Sequence, residues 1–270
     1  MTQRKYDIRL IALDLDGTLL TDEKKIAEPT VEALHALSSQ VKIVLASARP
    51  PRSVRHLYKQ LELDTWQVNY NGAMVWDEPN QTAVFHRPMP GELCRKIVDL
   101  ARDMYEEILV SCEVMDRWFT DRDDHTYTTE TGKLFSPDEI VSMDQICLNP
   151  ITKLMLLADP MIINRLEPLI FQKFGRKVLV VQSDPQLLQI MDPKCGKSVG
   201  LNFCCKRYGI SPKQIMAFGD APNDVGMLQM AGVAIAMSNA DKVVKDVAHW
   251  VAPSNNDHGV LEALKRYGLV

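Results

Sequence analysis

The first and last thirds of the chain show short apolar runs that alternate with amphipathic segments of helix length. Apolar runs that predict strands cover residues 8–13, 41–46, 68–70, 214–218, 233–236 and 250–251. Patterns with helical spacing cover residues 29–37, 53–61, 197–208, 223–230 and 241–247, and a last helix closes the chain. Strands that alternate with helices favour a parallel sheet covered on both faces.

The middle of the chain has a different pattern. Helical spacing at residues 92–104 and 161–174 is combined with strand-like pieces within 113–129, at 151–157 and at 177–182. Prolines lie near both edges of this region, at Pro88, Pro90 and Pro185. The sequence therefore predicts an α/β protein. Its Rossmann-like parallel-sheet core comprises residues 1–82 and 188–270, and an inserted α+β cap domain with an antiparallel sheet comprises residues 83–187.

Composition narrows the class of protein further. The net charge of −4 over 270 residues argues against a broad surface for nucleic acid. No apolar run approaches the roughly 18 residues of a membrane-spanning helix, and the N-terminus lacks the pattern of a signal peptide. The six cysteines form no CxxC pair and no zinc-like spacing, which predicts reduced thiols. We expect a cytoplasmic protein, monomeric or homodimeric, with no membrane or nucleic-acid partner.

Polar residues follow four of the predicted strands directly: Asp14, Ser47, Asn71 and Asp220. Ligands of open α/β sheets bind outside the carboxyl ends of the strands. Because Asp16 lies two residues past Asp14, three carboxylates and a hydroxyl would converge on one edge if these strands are neighbours. This convergence is the main functional signal in the sequence.

Asp14 and Asp16 can take different chemical roles. A carboxylate such as Asp14 is a competent nucleophile toward phosphorus. Asp16 can protonate a leaving oxygen and later accept a proton from water, while Gly17 relieves the tight turn. A solvated acidic turn is the alternative. A calcium loop is excluded, because Thr18 and Leu19 stand where that loop needs Asp or Asn and then Gly.

A second acidic segment follows the strand at residues 214–218. Asp220 and Asp14, with a backbone carbonyl, form an oxygen site suited to Mg²⁺. Asp224 could orient metal-bound waters, and the Asn223 amide could hold a phosphate or Asp14. The alternative is an acidic helix N-cap, and Asp224 fits that role too.

Ser47 and Lys197 are the candidate phosphate contacts. The Ser47 hydroxyl could donate to a phosphoryl oxygen, together with the backbone N–H groups of Ala48 and Arg49. Lys197 begins a predicted helix, where the helix dipole disfavours a cation unless a phosphate or Asp14 offsets it. A P-loop is excluded, because Met191 occupies the position of its first glycine.

The order of these pieces resembles the haloacid dehalogenase superfamily of phosphohydrolases, and most closely its Cof-like branch, whose cap lies between the second and third motifs. The matching segments are Asp14-Leu15-Asp16-Gly17-Thr18, Ser47-Ala48-Arg49, Asn71-Gly72-Ala73, Lys197, Gly219-Asp220-Ala221-Pro222-Asn223-Asp224, Met237-Ser238-Asn239-Ala240 and Asp257-His258-Gly259-Val260. The resemblance covers both ends of the chain, and all motifs together in this order are very specific.

The resemblance implies a role for each matching residue. Asp14 would be the nucleophile and a Mg²⁺ ligand, Asp16 the acid/base with its carbonyl on the metal, and Asp220 the third ligand. The resemblance also implies five phosphate contacts, which are Leu15, Ser47, Ala48, Lys197 and Asn223. Asp224 would contact the metal-bound waters, and Arg49 and Asn71 would contact the substrate.

The sequence departs from the branch's pattern at two points. Its second motif usually reads Thr-Gly-Arg, and here Ser47-Ala48-Arg49 keeps the hydroxyl but adds a methyl group near the expected phosphate. Pro222 before Asn223 is also unusual and stiffens that loop. In the cap, the candidates for substrate contact form a polar and aromatic stretch: Arg117, Trp118, Asp121, Arg122, His125 and Tyr127.

The resulting expectation is a Mg²⁺-dependent phosphatase that forms an aspartyl-phosphate and acts on a small phosphate ester, with a sugar phosphate as the expected class. Two alternatives stay open. A phosphosugar mutase would interconvert isomers with little release of phosphate, and a binding protein of the same fold would not turn over.

Overall fold

The structure is a computed structural model that describes residues 6–129 and 131–270. The chain forms two compact units. One is formed by the chain up to Phe85 together with Gly196–Val270, and the other by His86–Cys195.

Short strands run through both units of the described chain. In chain order they are β1 (Leu10–Leu13), β2 (Lys42–Leu45), β3 (Gln67–Asn69), β4 (Met74–Asp77), β5 (Thr82–His86), β6 (Leu109–Val114), β7 (Arg117–Thr120), β8 (Glu139–Ile140), β9 (Lys153–Leu157), β10 (Leu179–Asp184), β11 (Leu187–Met191), β12 (Ile215–Gly219), β13 (Val233–Met237) and β14 (Trp250–Ala252).

The α-helices of the same residues connect these strands. They are α1 (Glu28–Ser38), α2 (Pro51–Gln60), α3 (Gly91–Met104), α4 (Met143–Ile146), α5 (Pro160–Phe174), α6 (Lys197–Tyr208), α7 (Val225–Met230), α8 (Lys242–Lys245) and α9 (Gly259–Arg266).

The first unit is built on a parallel sheet with the strand order β14-β13-β12-β1-β2. Ile11 and Phe218 face a layer formed by α1, α2 and α9. Leu10 and Ala217 face the opposite layer, formed by α6, α7 and α8. Because helices cover both faces, the strands are continuous apolar runs rather than alternating ones. The predicted α/β class with a parallel-sheet core is confirmed.

The second unit contains a six-stranded sheet in the order β10-β11-β9-β6-β7-β8. Its strand pairs are antiparallel except β7 and β8. Alternate strand residues such as Val110 and Leu156 pack with Ile97 of α3 and Leu166 of α5 in one apolar cluster. This unit has the α+β composition and the antiparallel sheet that the sequence predicts for the middle of the chain.

Two strands cross the boundaries predicted from sequence. The boundary at 82/83 falls inside β5, which pairs within the three-stranded sheet β3-β4-β5. The boundary at 187/188 falls inside β11, which pairs with both β9 and β10 and so belongs to the second unit. Sequence reasoning also missed β4, β5, β8, β11 and the short α4, because each of these elements is defined by its pairing or packing more than by its own pattern.

All six cysteines are free thiols in the structure. Among the described residues, no helix combines the length and the apolar character that crossing a bilayer requires.

Candidate active site

The parallel strand order places three of the predicted residues side by side. Asp14 follows β1, which lies between β12 and β2, so its neighbours at the sheet edge are Asp220 and Ser47. The backbone N–H of Asp14 donates to Phe218 O at 3.2 Å, and the N–H of Ser47 donates to Val68 O at 2.9 Å. Asp14, Ser47 and Asp220 therefore lie at one edge of the sheet, as the strand ends predict, whereas the expected third carboxylate, Asp16, lies outside their cluster.

Three carboxylates from distant segments form a compact cluster. One carboxylate oxygen each from Asp14, Asp220 and Asp224 lies within 4.8 Å of the other two. Asp14 is 5% exposed and Asp224 is fully buried. Lys197, the first residue of α6 and itself buried, donates from Nζ to Asp14 Oδ1 and, at 2.6 Å, to Asp224 Oδ1. The two carboxylates offset the unfavourable position of a cation at a helix N-terminus.

The cluster contains more negatively charged groups than positively charged ones. Burial raises the pKa of Asp14 well above its ordinary value, and the Asp224 carboxylate raises it further. Burial by itself would lower the pKa of Lys197, but the Asp14 and Asp224 carboxylates outweigh it and raise that pKa. One ammonium group therefore faces three carboxylates. A divalent cation with a preference for oxygen ligands fits this donor set and this charge.

Asp224 is fixed by the loop that precedes it. Its Oδ2 accepts hydrogen bonds from the backbone N–H groups of Asp220 and Ala221, both at 3.1 Å. Its side chain makes no capping hydrogen bond to α7. Its hydrogen bond from the Ala221 N–H instead caps the short 3₁₀ helix at Pro222–Asp224. The alternative interpretation of Asp224 as a helix cap therefore holds for this turn, and its carboxylate also shapes the loop that carries Asp220.

Gly17 allows the β1 loop to approach Asp220. Its φ of +82° lies in the left-handed region, and a Cβ at this position would lie 2.3 Å from Asp220 Oδ2. The next residue, Thr18, donates from its hydroxyl to Asp220 Oδ1 at 2.8 Å. Asn239 Nδ2 donates to the Gly17 carbonyl at 2.8 Å. The loop after β1 is thus tied to both the loop after β12 and the loop after β13.

Asp16 lies outside the carboxylate cluster, in ion pairs of its own. Arg49 donates to its two carboxylate oxygens, from Nε at 2.8 Å and from a terminal nitrogen at 2.6 Å. Lys24 Nζ donates to Oδ1 at 2.8 Å. Burial would raise the pKa of Asp16, but Arg49 and then Lys24 outweigh it, so this pKa is lowered. The metal contact implied for the Asp16 carbonyl stays a prediction.

The loop after β2 joins the loop after β3. The backbone N–H of Arg49 donates to Ser47 Oγ at 3.1 Å, and the N–H of Asn71 donates to the Ser47 carbonyl at 3.0 Å. Asn71 has a φ of +52°, and its Oδ1 accepts from Asn223 Nδ2 at 2.9 Å. Asn223 therefore contacts Asn71 rather than Asp14, and the Arg49 N–H is already bound to Ser47.

Two of the predicted phosphate contacts involve backbone only. The Leu15 side chain is fully buried in the core, so this residue can offer a ligand its backbone N–H alone. Ala48 has no polar side chain and lies before α2, which begins at Pro51. Their roles toward phosphate stay predictions.

The second unit brings together four of the six candidate cap residues. Trp118, Arg122, His125 and Tyr127 line a cavity of about 50 Å³ on the sheet face opposite α3 and α5. Arg117 and Asp121 do not line it. Arg117 forms an ion pair with Glu139, and Asp121 accepts from Arg102 at 2.5 and 2.9 Å.

Sequence reasoning gave no role to four residues that hold the loops of the site together. They are Thr18, Lys24, Asn239 and Asn255. Thr18 and Asn239 lie inside the quoted motifs, so their position gave a signal. Lys24 gave none, because a lysine in a polar loop has the pattern of a solvated side chain.

The comparison with known proteins agrees with this arrangement. A model of the haloacid dehalogenase-like hydrolases matches residues 11–264, which is nearly the whole chain. The chain therefore belongs to this family.

Relatives that match most or nearly all of the chain give the type of reaction. The Bacillus subtilis 5-amino-6-(5-phospho-D-ribitylamino)uracil phosphatase YitU is 31% identical over 268 residues, which cover 96% of this chain and 97% of the relative. The HMP-PP phosphatase of Cronobacter sakazakii is 27% identical over 235 residues, 86% and 85% of the two chains. The crystal structure of TM0651 from Thermotoga maritima superposes with a TM-score of 0.86 and 27% identity, and covers 96% and 97% of the two chains. The protein is a phosphatase.

Proposed function

We propose that the protein hydrolyses the phosphate monoester of a small phosphorylated metabolite, with Mg²⁺, through an aspartyl-phosphate on Asp14. The observation that carries this proposal is the buried contact between Asp14 and Lys197 inside a cluster of three carboxylates. A structural salt bridge would need one carboxylate for one ammonium group. The excess of negative charge, at an edge where parallel strands end, favours a site for a cation and an anionic substrate.

Asp14 and Asp220, with the backbone carbonyl of Asp16, would hold the metal ion. Their oxygen ligands suit Mg²⁺, which keeps several waters and needs few protein ligands. When bound, Mg²⁺ supplies positive charge to the phosphoryl oxygens. The Asp224 carboxylate is already hydrogen-bonded to Lys197 and to two backbone N–H groups. We therefore assign it to the metal-bound waters and not to the metal ion itself.

The chain's own residues supply the remaining chemistry. The Asp14 carboxylate attacks phosphorus in line with the leaving oxygen, and Lys197 offsets charge on Asp14 and on the phosphoryl group. The Ser47 hydroxyl accepts from Arg49 N–H and keeps its own proton to donate to a phosphoryl oxygen. Asp16 protonates the leaving alkoxide and then takes a proton from the water that cleaves the intermediate. Protonation of Asp16 requires it to give up part of its contact with Arg49.

The proposed substrate class is a phosphorylated sugar or polyol. The YitU relative acts on a phosphoribitylamino-uracil, in which the phosphate is on a polyol chain. In the second unit, Trp118 and Tyr127 provide aromatic surface, while Arg122 and His125 provide hydrogen-bond donors. We propose these four residues as candidates for recognising a sugar or polyol.

The test of the mechanism is phosphate release from an aryl phosphate, with and without Mg²⁺, for the wild type and Asp14→Asn. Loss of the nucleophile should lower kcat by at least about 10⁴-fold. Asp64→Asn is the matched control, because Asp64 is exposed and pairs with Lys42 at 3.3 Å, away from the carboxylate cluster. Mass spectrometry of acid-quenched wild-type enzyme should find the phosphoryl group on the peptide that contains Asp14. Turnover that survives in Asp14→Asn would rule out the aspartyl-phosphate.

A panel of phosphate esters tests the substrate class. Sugar and polyol phosphates should be hydrolysed with the highest kcat/KM, and phosphate release should match substrate loss. Isomer formation without phosphate release would identify a mutase. Binding without turnover of any ester would identify a non-catalytic protein. Uniformly poor turnover across the panel would contradict the sugar phosphate class.

A further inference from the structure

We propose that Lys24 is a positioning residue for Asp16. The turn at residues 20–25 carries Lys24, and its anchoring to the segment at residues 254–257 keeps the Lys24 side chain in contact with Asp16. The inference rests on the proposed role of Asp16 as acid and base. The turn at residues 20–25 has no other role in the proposed reaction.

The contact itself is specific. Lys24 Nζ donates to Asp16 Oδ1 at 2.8 Å, and the same oxygen accepts from a terminal nitrogen of Arg49 at 2.6 Å. Arg49 Nε holds the other oxygen at 2.8 Å. The carboxylate of Asp16 is therefore held from two directions by two cations, and Asp16 is the acceptor of both.

The turn that carries Lys24 has a fixed backbone. The N–H of Thr21 donates to Lys25 O at 2.9 Å, and the N–H of Lys24 donates back to Thr21 O at 2.8 Å. Lys24 has a φ of +61°, a region in which glycine or asparagine is favoured over lysine. The turn thus places a long cationic side chain where local backbone preference would not select one, and this side chain reaches Asp16.

The turn is fastened to the segment after β14. The N–H of Asp22 donates to Asn256 Oδ1 at 3.0 Å, and Asn256 Nδ2 donates to Asp22 Oδ2 at 2.9 Å. Asn255 is buried, and its Nδ2 donates to the Leu20 carbonyl at 2.9 Å and to Asp22 Oδ1 at 3.1 Å. The turn is therefore held at two points, Leu20 and Asp22, just before the chain reaches Lys24.

The same segment is linked to the loop of Gly17. Asn239 accepts from the N–H of Asn255 at 3.2 Å and donates to the Gly17 carbonyl at 2.8 Å. One hydrogen-bonded frame therefore connects the backbone beside Asp16 with the turn that carries Lys24. This frame keeps the distance between Lys24 and Asp16 short without any contribution from the exposed ion pair itself.

The functional consequence follows from the position of Arg49. Arg49 lies on the loop that carries Ser47, so a phosphoryl oxygen bound at Ser47 would compete with Asp16 for its guanidinium group. Lys24 lies on a different loop and keeps its hydrogen bond to Asp16 Oδ1. Asp16 would then stay oriented for proton transfer while Arg49 is shared with the substrate.

The test compares Lys24→Met with Lys25→Met in phosphate release from an alkyl phosphate. Lys25 is the matched control, because it is the next residue and its exposed Nζ lies 3.8 Å from Glu23. Lys24→Met should lower kcat by about tenfold and leave KM unchanged, since only part of the general acid–base effect is lost. Lys25→Met should match the wild type, and Lys24→Arg should restore most of kcat.

A second comparison, made in the Asp16→Asn background, separates positioning from a structural role. The readout in this background is single-turnover release of nitrophenolate, which needs no proton from Asp16. If Lys24 acts through Asp16, Lys24→Met should cause no further loss there. An unchanged kcat in Lys24→Met, or an equal loss in the Asp16→Asn background, would overturn the inference. Wild-type turnover of the alkyl phosphate by Asp16→Asn would instead overturn the proposed role of Asp16.

Discussion

The surroundings of Asp14 and Asp16 differ in burial and in charge, although only one residue separates the two aspartates in the chain. Asp14 is buried among Asp220, Asp224 and Lys197, and its pKa is raised, first by burial and then by Asp224. Asp16 is half-exposed, and Arg49 and Lys24 outweigh the effect of burial and lower its pKa. Two aspartates in one motif thus have opposite electrostatic environments, and all the neighbours that cause the difference come from other segments.

The difference separates two chemical tasks. A nucleophile benefits from a dry site in which the surrounding charges do not reorganise. A group that gives and takes protons must exchange partners with substrate and water, and a half-exposed position permits this. The energetics of the two regions should differ in the same way. Breaking a buried ion pair leaves an uncompensated charge, whereas an exposed pair contributes little.

The largest expected effect is a difference in stability between variants of Lys197 and Lys24. Lys197→Met leaves buried carboxylates without their cation and should lower the free energy of unfolding by about 3 kcal/mol in metal-free buffer. Lys24→Met removes an exposed pair and should cost at most about 1 kcal/mol. Urea denaturation with EDTA checks both variants. Equal losses would show that the two regions do not differ in the way their burial indicates.

A smaller effect is expected from closing the space at Gly17. Gly17→Ala adds a Cβ at 2.3 Å from Asp220 Oδ2 and imposes a left-handed backbone on alanine. Displacement of Asp220 should lower kcat by about 10²-fold, and the backbone strain should cost about 1 kcal/mol. Gly209→Ala is the control, because Gly209 has a φ of +67° and, apart from its own helix and chain neighbours, no described residue lies within 4 Å of the added Cβ. It should lose stability but keep its activity.

The smallest effect concerns the pH dependence of stability without metal. Because the pKa of Asp14 is raised above 3.8 in the folded protein, the unfolded chain loses this proton at a lower pH than the folded chain does. Asp14 therefore lowers the free energy of unfolding as pH rises above that value. Asp16 has the opposite sign, since its lowered pKa gives stability that is lost only as pH falls below 3.8.

Asp14→Asn should therefore remove the part of the decline in stability that sets in as pH rises above 3.8. Urea denaturation in EDTA across this rise in pH checks the slope, and Asp64→Asn should leave it unchanged. An unaltered slope in Asp14→Asn would contradict the raised pKa.

Much of the site could be predicted from the pattern of strands. Asp14, Ser47 and Asp220 each follow a short apolar run, and the carboxyl ends of parallel strands share one edge. The partners of these residues were harder to predict. The contact of Asn223 with Asn71, and the use of the Arg49 N–H by Ser47, depend on the conformation of loops whose residues carry no periodic signal.

The cap candidates show the same limit. A polar and aromatic stretch indicated six residues, and the structure places four of them around one cavity. Arg117 and Asp121 are instead engaged by Glu139 and Arg102, which lie 22 and 19 residues away along the chain. Composition cannot distinguish a side chain that lines a cavity from one that pairs beside it.

The sequence by itself determined the α/β class, the strands and helices of the parallel-sheet core and the residues at its strand ends, because hydrophobic periodicity and turn chemistry act over a few residues. The tertiary structure decided which charges meet. Lys197 reaches Asp14 across 183 residues of chain, and Asn255 anchors the turn at Asp22 across 233 residues. The different environments of Asp14 and Asp16 arise from such long-range contacts, since burial and charge at a point depend on every segment that packs there.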